Sequence, residues 1–575
     1  IALSGTLAIG LMLRDIFKLR FWWIGTLILS ITPTWFLHTR TAFEHPLWVA
    51  FYAWFLYFYL RYRTDKPRHL LTAFVFGALS FYSYNGAQLG IVVTGILLLI
   101  SDARYHWRTL RHNPQLLLAA AIVLFLVALP FLRFYADHSD ETFKHLRILD
   151  SYWTLPISMD EKINRLVNEF AFGLSPDYWY APENSRDLIR HQMKGYGLLL
   201  PITLPFTLLG VLLCLKNFKS SRFRAVLIAL LIAPIGGVLV ATLVLRVLVM
   251  VIPAALLASI GLIAVLDWIA TRWKYQPIAI GAFVVLAGFN LFMLNDALTN
   301  GPTWYTDYGL GGLQYGGQQI FTEVTEVLRQ SPQTRVYVSP TWANGTDALL
   351  LFFAPNEPRV QMGNIDAFMF SPLPLDDNTL LVMTTDEYQR AVNDPKFSNV
   401  RIERTLKYPD GRDGFYFVRL NYSEQAPAIF AAEDAARRRP EEADVMVDGQ
   451  IMRAVYSRLD MGPIANAFDG DPFTLVRTVV DNPFVITLTF PEPRTLTGVT
   501  LTTATMDFNA AITLTLASGE TPTYSRNFLQ TGPDPTNAFP FDPAPSGPVK
   551  SMEIAIKDLN AVGDAHLHVR EIKLK

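Results

Sequence analysis

Four ionisable side chains, His38, Arg40, Glu44 and His45, fall within the nine residues HTRTAFEHP (38–46), between two apolar runs. A guanidinium can hold a phosphate through two parallel hydrogen bonds. A carboxylate can take a proton from a hydroxyl or help to ligate a divalent metal such as Mg or Mn. The same spacing also suits a plain surface ion pair, because Arg40 and Glu44 stand four apart at a helix start. Charges inside a bilayer cost about 2.5–3.5 kcal/mol each at mid-helix on insertion scales. A cluster kept at a helix end therefore points to a cavity or a partner.

Three other stretches offer matching chemistry. SPDYWYAPENSRDLIRHQMKGYG (175–197) is aromatic, basic and acidic at once, and supplies Asp177, Glu183, Arg186, Arg190 and Lys194. Arg246 is a lone cation in VATLVLRVLVMVIP; it either snorkels to headgroups or pairs with an anion in a cavity. FYSYNGAQ (81–88) places Tyr84 and Asn85 where they can line a groove.

These residues are carried by apolar runs near 1–13, 21–37, 47–60, 69–84, 87–101, 115–133, 196–215, 225–244, 246–267 and 276–295. Most are of the length a transmembrane helix needs. Every second link is basic: Arg14, Lys18 and Arg20; Arg61, Arg63, Lys66 and Arg68; Arg104, Arg108 and Arg111; Lys216, Lys219, Arg222 and Arg224; Arg272 and Lys274. The positive-inside rule puts those links in the cytoplasm. The links 38–46, 85–86 and 134–195, the turn before Arg246, and everything after 296 are then expected outside. MDEKINRLVNEFAFGL (159–174) has apolar Ile163, Leu166, Val167, Phe170 and Leu174 at helical spacing, as a helix lying on the membrane surface would.

A site facing outward has no access to cytoplasmic nucleotide-activated donors. A polyprenyl phosphate carrier offers another source, presenting its sugar at the outer interface. Such a site needs a cation for the phosphate leaving group, a carboxylate for the acceptor hydroxyl, and an apolar groove for the lipid. The candidates for phosphate and substrate are His38, Arg40, Tyr84, Asn85, Arg186, Arg190, Lys194 and Arg246. Glu44 is the candidate acid or base, or a metal ligand.

HTRTAFEHPLWVAFYAWFLYFYLRYR, HLLTAFVFGALSFYSYNGAQLGIVVTGILLL and LRVLVMVIPAALLASIGLI together resemble the GT-C glycosyltransferases. The nearest group is family 39, related to dolichyl-phosphate-mannose protein mannosyltransferases and the aminoarabinose transferase of lipid A. Arg40 and Glu44 match that family's Arg–acid motif, FGALSFYSY its following helix, and Arg246 with Pro253 its late Arg–Pro helix. The resemblance covers residues 1–300. It implies that the main catalytic carboxylate lies in an outer loop preceding Ile1, which leaves Arg40 and Glu44 as auxiliary groups. The chain starts inside an apolar run, without Met, so we expect it to begin within a longer protein.

Residues 300–575 contain no such long apolar run. GLGG (309–312) reads as linker, because no strand precedes it. QIFTEVTEVLRQ and DEYQRAVNDP predict helices, the second capped by its Asp, and RVYVSP, TLLVMTT and FYFVRL predict strands. AAEDAARRRPEEADV (431–445) reads as a charged connector. FVITLTF, TGVTLTTA, AITLTLAS, SMEIAIKD and LHVREIKL predict a β-sandwich. ANAFDGDPFTLVRT resembles the opening of a discoidin-type (F5/8 type C) carbohydrate-binding domain. That resemblance implies a structural calcium near Asp469 and Asp471, where an Asx turn is the simpler reading.

The expected architecture is a polytopic helical membrane bundle (1–299), an extracytoplasmic α/β domain (300–430) and a β-sandwich (445–575). The expected function is transfer of a hexose from a polyprenyl-phosphate donor to a protein, lipid or glycan acceptor in the cell envelope, protein glycosylation being one form. The setting is a plasma or inner membrane, with the C-terminal half outside. A flippase for lipid-linked glycans and a membrane-anchored glycan-binding scaffold are the alternatives. The formal net charge of -1, with no basic stripe in the soluble half, argues against nucleic acid.

Overall fold

A computed structural model describes the chain except Ala42, Asp65, Asp140, residues 183–185 and 303–314, Pro472, residues 530, 531, 533 and 534, and the side chains of Thr142 and Phe143. Glu183 and the GLGG stretch lie outside the described residues. The chain divides into two units, Ile1–Tyr315 with Trp342–Asn344, and Gly316–Thr341 with Gly345–Lys575.

The first unit is helical. Its apolar runs do not all become single spans, as ten runs had led us to expect. Pro33 splits the second run into helices Ile24–Ser30 and Pro33–His38, with Thr32 extended before it. Pro234 ends the helix Ser221–Ile232. Among the described residues three helices are long and apolar enough to cross a membrane: Pro114–Asp137, Val244–Ala270 (whose first turns are irregular) and Tyr275–Asn300. The pair Asn85–Ser101 and Ala103–His112, bent by 81°, makes a fourth if it counts as one span.

Their burial separates their roles. Val244–Ala270, apolar except for Arg246 near its start and polar Ser259 and Asp267, is largely buried within the unit. Pro114–Asp137 and Tyr275–Asn300 are equally apolar but exposed: Leu118, Ile122, Phe125, Ile280, Val284, Val285 and Leu291 all face outward. Two helices with that much uncovered apolar surface require lipid around them. The chain is therefore a multi-pass membrane protein. The central helix meets Leu204–Lys216 at Gly210 and Gly261. A Cβ on either would collide with a carbonyl of the other helix, Leu257 and Phe206 respectively. Small residues at such crossings are how membrane helices approach without a hydrophobic drive.

The two sets of links gather in separate clusters. Arg14, Arg61, Arg63, Arg222 and Arg224 of the basic links meet around Asp15 and Asp102. Tyr57 and Arg61 bond Asp15, and Arg222 reaches the Ile16 carbonyl. Asp102, 6% exposed, accepts from Arg63 Nε at 2.7 Å, from Arg224, and from the Tyr59 hydroxyl at 2.8 Å. Tyr62 bonds His106 beside it, and Arg63 stacks 3.6 Å from the Tyr105 ring. One buried carboxylate thus joins the helices His45–Thr64, Asn85–Ser101, Ala103–His112 and Ser221–Ile232. The other set meets around His38 and is described below.

The second unit holds a mixed sheet and a sandwich. The mixed sheet runs Val360–Met362, Arg335–Val338, Thr379–Thr384, Asp413–Tyr422, Phe397–Lys407; the first three strands are parallel and the last two antiparallel. Helix Gly317–Gln330 forms as expected. The helix Thr385–Asn393 is capped by Thr384, not by the Asp: its hydroxyl takes the Glu387 amide, and Glu387 returns to the Thr384 amide. The charged connector is a correction too. Residues 426–437 are helix, and Glu441–Val447 is an edge strand whose Val445 and Val447 enter the sandwich core. The sandwich therefore starts near 441, before the expected boundary at 445.

Its six-stranded sheet runs Thr523–Phe528, Phe508–Leu516, Val549–Asp558, Phe484–Arg494, Gln450–Tyr456, Glu441–Val447. The five-stranded sheet runs Thr536–Pro540, Gly498–Thr503, His568–Leu574, Val476–Thr478, Leu459–Met461. Alternation builds the core: Phe508, Ala510, Ile512, Leu514 and Leu516 are buried, while the residues between them are not.

Candidate functional site

Helix Pro33–His38 delivers His38 into the first unit's interior, where it is 1% exposed. Its Nδ1 donates to the Thr34 carbonyl at 2.7 Å, so Nε2 carries the lone pair. Among the described residues that nitrogen is buried without a hydrogen-bond partner. The ring stacks on His191, with centroids 5.4 Å apart. His191 Nε2 accepts from Arg190 Nε at 3.1 Å, which leaves the proton on Nδ1. Phe43 bridges His191 to His45, and His45 packs 4.4 Å from Tyr84. Burial holds His38 down to about 4, against the bond to Thr34. Burial, then the neighbouring His38 and Arg190 charges, hold His191 down to about 3. The wall His38–His191–Phe43–His45–Tyr84 is therefore uncharged at neutral pH.

Cations flank this neutral wall on both sides. On one side Arg40 and Arg190 line a single cleft of about 90 Å³ with Leu37, Thr41, Met193, Ala297 and Pro302. Ala297 belongs to the lipid-exposed helix Tyr275–Asn300. Arg40 lies 5.1 Å from the Phe36 ring. The Arg40–Glu44 ion pair that their spacing allows does not form, and among the described residues Arg40 has no ion pair. On the other side Arg246 interacts with the Tyr84 hydroxyl, and Glu44 lies within electrostatic reach of the same group. Glu44 and Asn85 are exposed and make no side-chain hydrogen bond among the described residues. Lys194 is exposed. Arg186 is taken up by Glu169 and stacks 4.3 Å from Phe172.

The structure thus gathers His38, Arg40, Glu44, Tyr84, Arg190 and Arg246 and leaves Arg186 in an ion pair. Reading the sequence missed His191, Phe43, Glu169 and Asp187. His191 adjoins Arg190 in a stretch already singled out, but its partner His38 lies far away in sequence, and no local pattern links them. Helix Met159–Leu174 forms as expected, with Met159, Ile163 and Val167 exposed along one stripe.

Metal chemistry finds little support at this wall. Among the described residues no three His, Cys, Asp or Glu side chains converge as a metal site. In the sandwich, Asp469 takes the Asp471 amide at 2.8 Å and Asp471 the Phe473 amide at 3.0 Å, as Asx turns do. Glu571 lies against this turn, bonded to the Gly470 backbone, and among the described residues its Oε2 is buried without a partner. Burial, and behind it Asp469 and Asp471, push its carboxyl above the usual range.

No family model matches the chain, and no curated protein matches it. Among solved structures, the chain is similar to ArnT from Cupriavidus metallidurans bound to undecaprenyl phosphate. The identity is 15% over 74% of this chain and 83% of that one, with a TM-score of 0.42. Its C-terminal part is similar to the family 32 carbohydrate-binding module of C. perfringens NanJ in complex with galactose. Here the identity is 16% over 21% of this chain and 92% of that one, with a TM-score of 0.18. It is also similar to a Streptococcus pneumoniae fucose binding module, SpX-3, at 14% identity over 23% of this chain and 97% of that one, with a TM-score of 0.18.

Proposed function

We propose that the protein is an integral membrane glycosyltransferase that moves a sugar from a polyprenyl phosphate to an acceptor hydroxyl outside the cytoplasm. One observation carries the reading. Two arginines, Arg40 and Arg190, share a small cleft whose apolar wall includes a lipid-exposed helix. The planar fork of a guanidinium can give a phosphate two hydrogen bonds at once. A phosphate on an isoprenoid tail suits such a place: the tail lies along Tyr275–Asn300 while the headgroup meets the guanidiniums.

In this reading the arginines stabilise the charge that builds on the phosphate as the glycosidic bond breaks. Arg246 and Tyr84 form the second polar wall. Glu44 takes a proton from the acceptor hydroxyl or assists another carboxylate that does so. Transfer is a single displacement with inversion. Among the described residues no set of metal ligands stands at this site, and no step is routed through a metal. Alternating basic links put the site and residues 300–575 outside, and the sandwich is a candidate glycan-binding module.

The test is transfer of label from a radiolabelled polyprenyl phosphate sugar in membranes. Wild-type membranes are expected to transfer it. Arg40→Lys is expected to raise KM for the donor, because a lysine cannot make the two-bond fork. Unchanged kinetics in Arg40→Lys would remove Arg40 from the donor site.

Asp469 and Asp471, at the turn against which Glu571 is buried, are proposed to contribute to a structural calcium site in the sandwich. Because the folded-state pKa of Glu571 is raised, the stability linked to its proton is present below about 4.5, its ordinary value, and is lost as pH rises through the raised value. At neutral pH its charge destabilises the fold. Calcium is expected to raise the melting temperature of the sandwich at pH 7. Glu571→Gln is expected to melt higher than wild type at pH 7, and an unchanged melting temperature would show that this carboxylate does not destabilise the fold.

A further inference from the structure

The segment that leads into Arg246 is gripped by two carboxylates that no part of the proposed chemistry uses. Glu169, on the helix Met159–Leu174, accepts the Thr242 amide at 2.6 Å through Oε2 and Arg186 through Oε1. The grip is doubled, since the Thr242 hydroxyl donates to the Glu169 carbonyl at 2.9 Å. Asp187, 7% exposed, accepts the Val244 amide at 2.7 Å through Oδ1 and the Tyr178 hydroxyl at 2.8 Å through Oδ2. Amides at 242 and 244 are thus fixed on either side of extended Leu243. Within the same segment Arg246 Nη1 donates to the Ala241 carbonyl at 3.0 Å. The turn is also pressed from behind, because a Cβ on Gly236 would collide with the Arg246 carbonyl.

Isolated, Arg246 has a flexible stem and many rotamers. Here the backbone on its N-terminal side has little freedom. Both anchors come from the stretch 159–191, which also supplies Arg190 and His191. Charged acceptors on buried amides are the strong kind of hydrogen bond.

We infer that Glu169 and Asp187 are positioning residues that set the aim of Arg246 by fixing the amides of Thr242 and Val244. The inference rests on the reading of Arg246 as a phosphate- or substrate-facing cation. It extends that reading to two residues that touch no substrate, and it makes the helix Met159–Leu174 part of the site's framework.

A double-mutant cycle separates positioning from simple stability. The probe is a polyprenyl monophosphate, titrated against the purified protein in detergent. Arg246→Ala is expected to weaken binding about tenfold or more, as loss of a charged hydrogen bond does. Glu169→Ala and Asp187→Ala are each expected to weaken it about three- to tenfold alone, and less than about twofold in the Arg246→Ala background. Asp187→Asn keeps an acceptor for Val244 and is expected to bind within about twofold of wild type, with its fold checked by melting temperature. Equal losses in both backgrounds would overturn the inference and make the carboxylates merely structural. Unchanged binding in Arg246→Ala would instead overturn the role of Arg246, on which the inference rests.

Discussion

Alanine in place of Asp102 is expected to cost the folded protein about 3–5 kcal/mol, the usual penalty for stranding a buried partner charge. Two guanidiniums would be stranded here. Arg63 and Arg224 are mostly covered, with side chains 12% and 14% exposed. The Tyr59 hydroxyl would lose its acceptor as well. Four helices meet at this carboxylate, so the loss reaches the whole bundle. The measurement is unfolding of the purified protein in detergent, wild type against Asp102→Ala. Asp102→Asn keeps some hydrogen bonds and is expected to fall between them. A loss under about 1 kcal/mol would show that the arginines reach water when the carboxylate goes.

The second large effect belongs to Glu44. Replacing it by glutamine keeps the shape and removes the charge. Turnover is expected to fall by about 10²–10⁴, the range for a general acid or base. The structure sharpens this expectation. Glu44 makes no ion pair with Arg40, so the substitution disrupts no structural bridge, and the folded protein is expected to keep its melting temperature. Glu44 also shares the electrostatic neighbourhood of Tyr84 with Arg246. Near-wild-type turnover in a folded, membrane-inserted Glu44→Gln would leave Glu44 a surface residue.

Much of this organisation was legible in the sequence. Alternating basic links sorted the connections into two sets; residues from several basic links meet around Asp15 and Asp102, and residues from the others meet around His38. Period-two runs such as AITLTLAS announced the sandwich, because each strand buries one face. Run length was a poorer guide. Pro33 and Pro234 interrupt the backbone ladder inside apolar stretches, and composition alone does not register that. Charge density misled at AAEDAARRRPEEADV, where the polar faces of a helix end and an edge strand read as a connector. At the site, residue types and local spacing found Arg40, Glu44, Tyr84 and Arg246. They suggested an Arg40–Glu44 pair that does not form. The His38–His191 stack and the anchors Glu169 and Asp187 depend on contacts between distant segments, which no window along the chain reveals.

The central claim is that Arg40 and Arg190 form a binding site for the phosphate of a lipid carrier. Equilibrium binding of a polyprenyl monophosphate to the purified protein tests it most directly. The wild type is expected to bind, and the Arg40→Ala/Arg190→Ala double variant to bind at least about a hundredfold more weakly, each lost charged contact being worth about 1.5–3 kcal/mol. A double variant that binds as tightly as wild type, or a wild type that does not bind at all, would contradict the account.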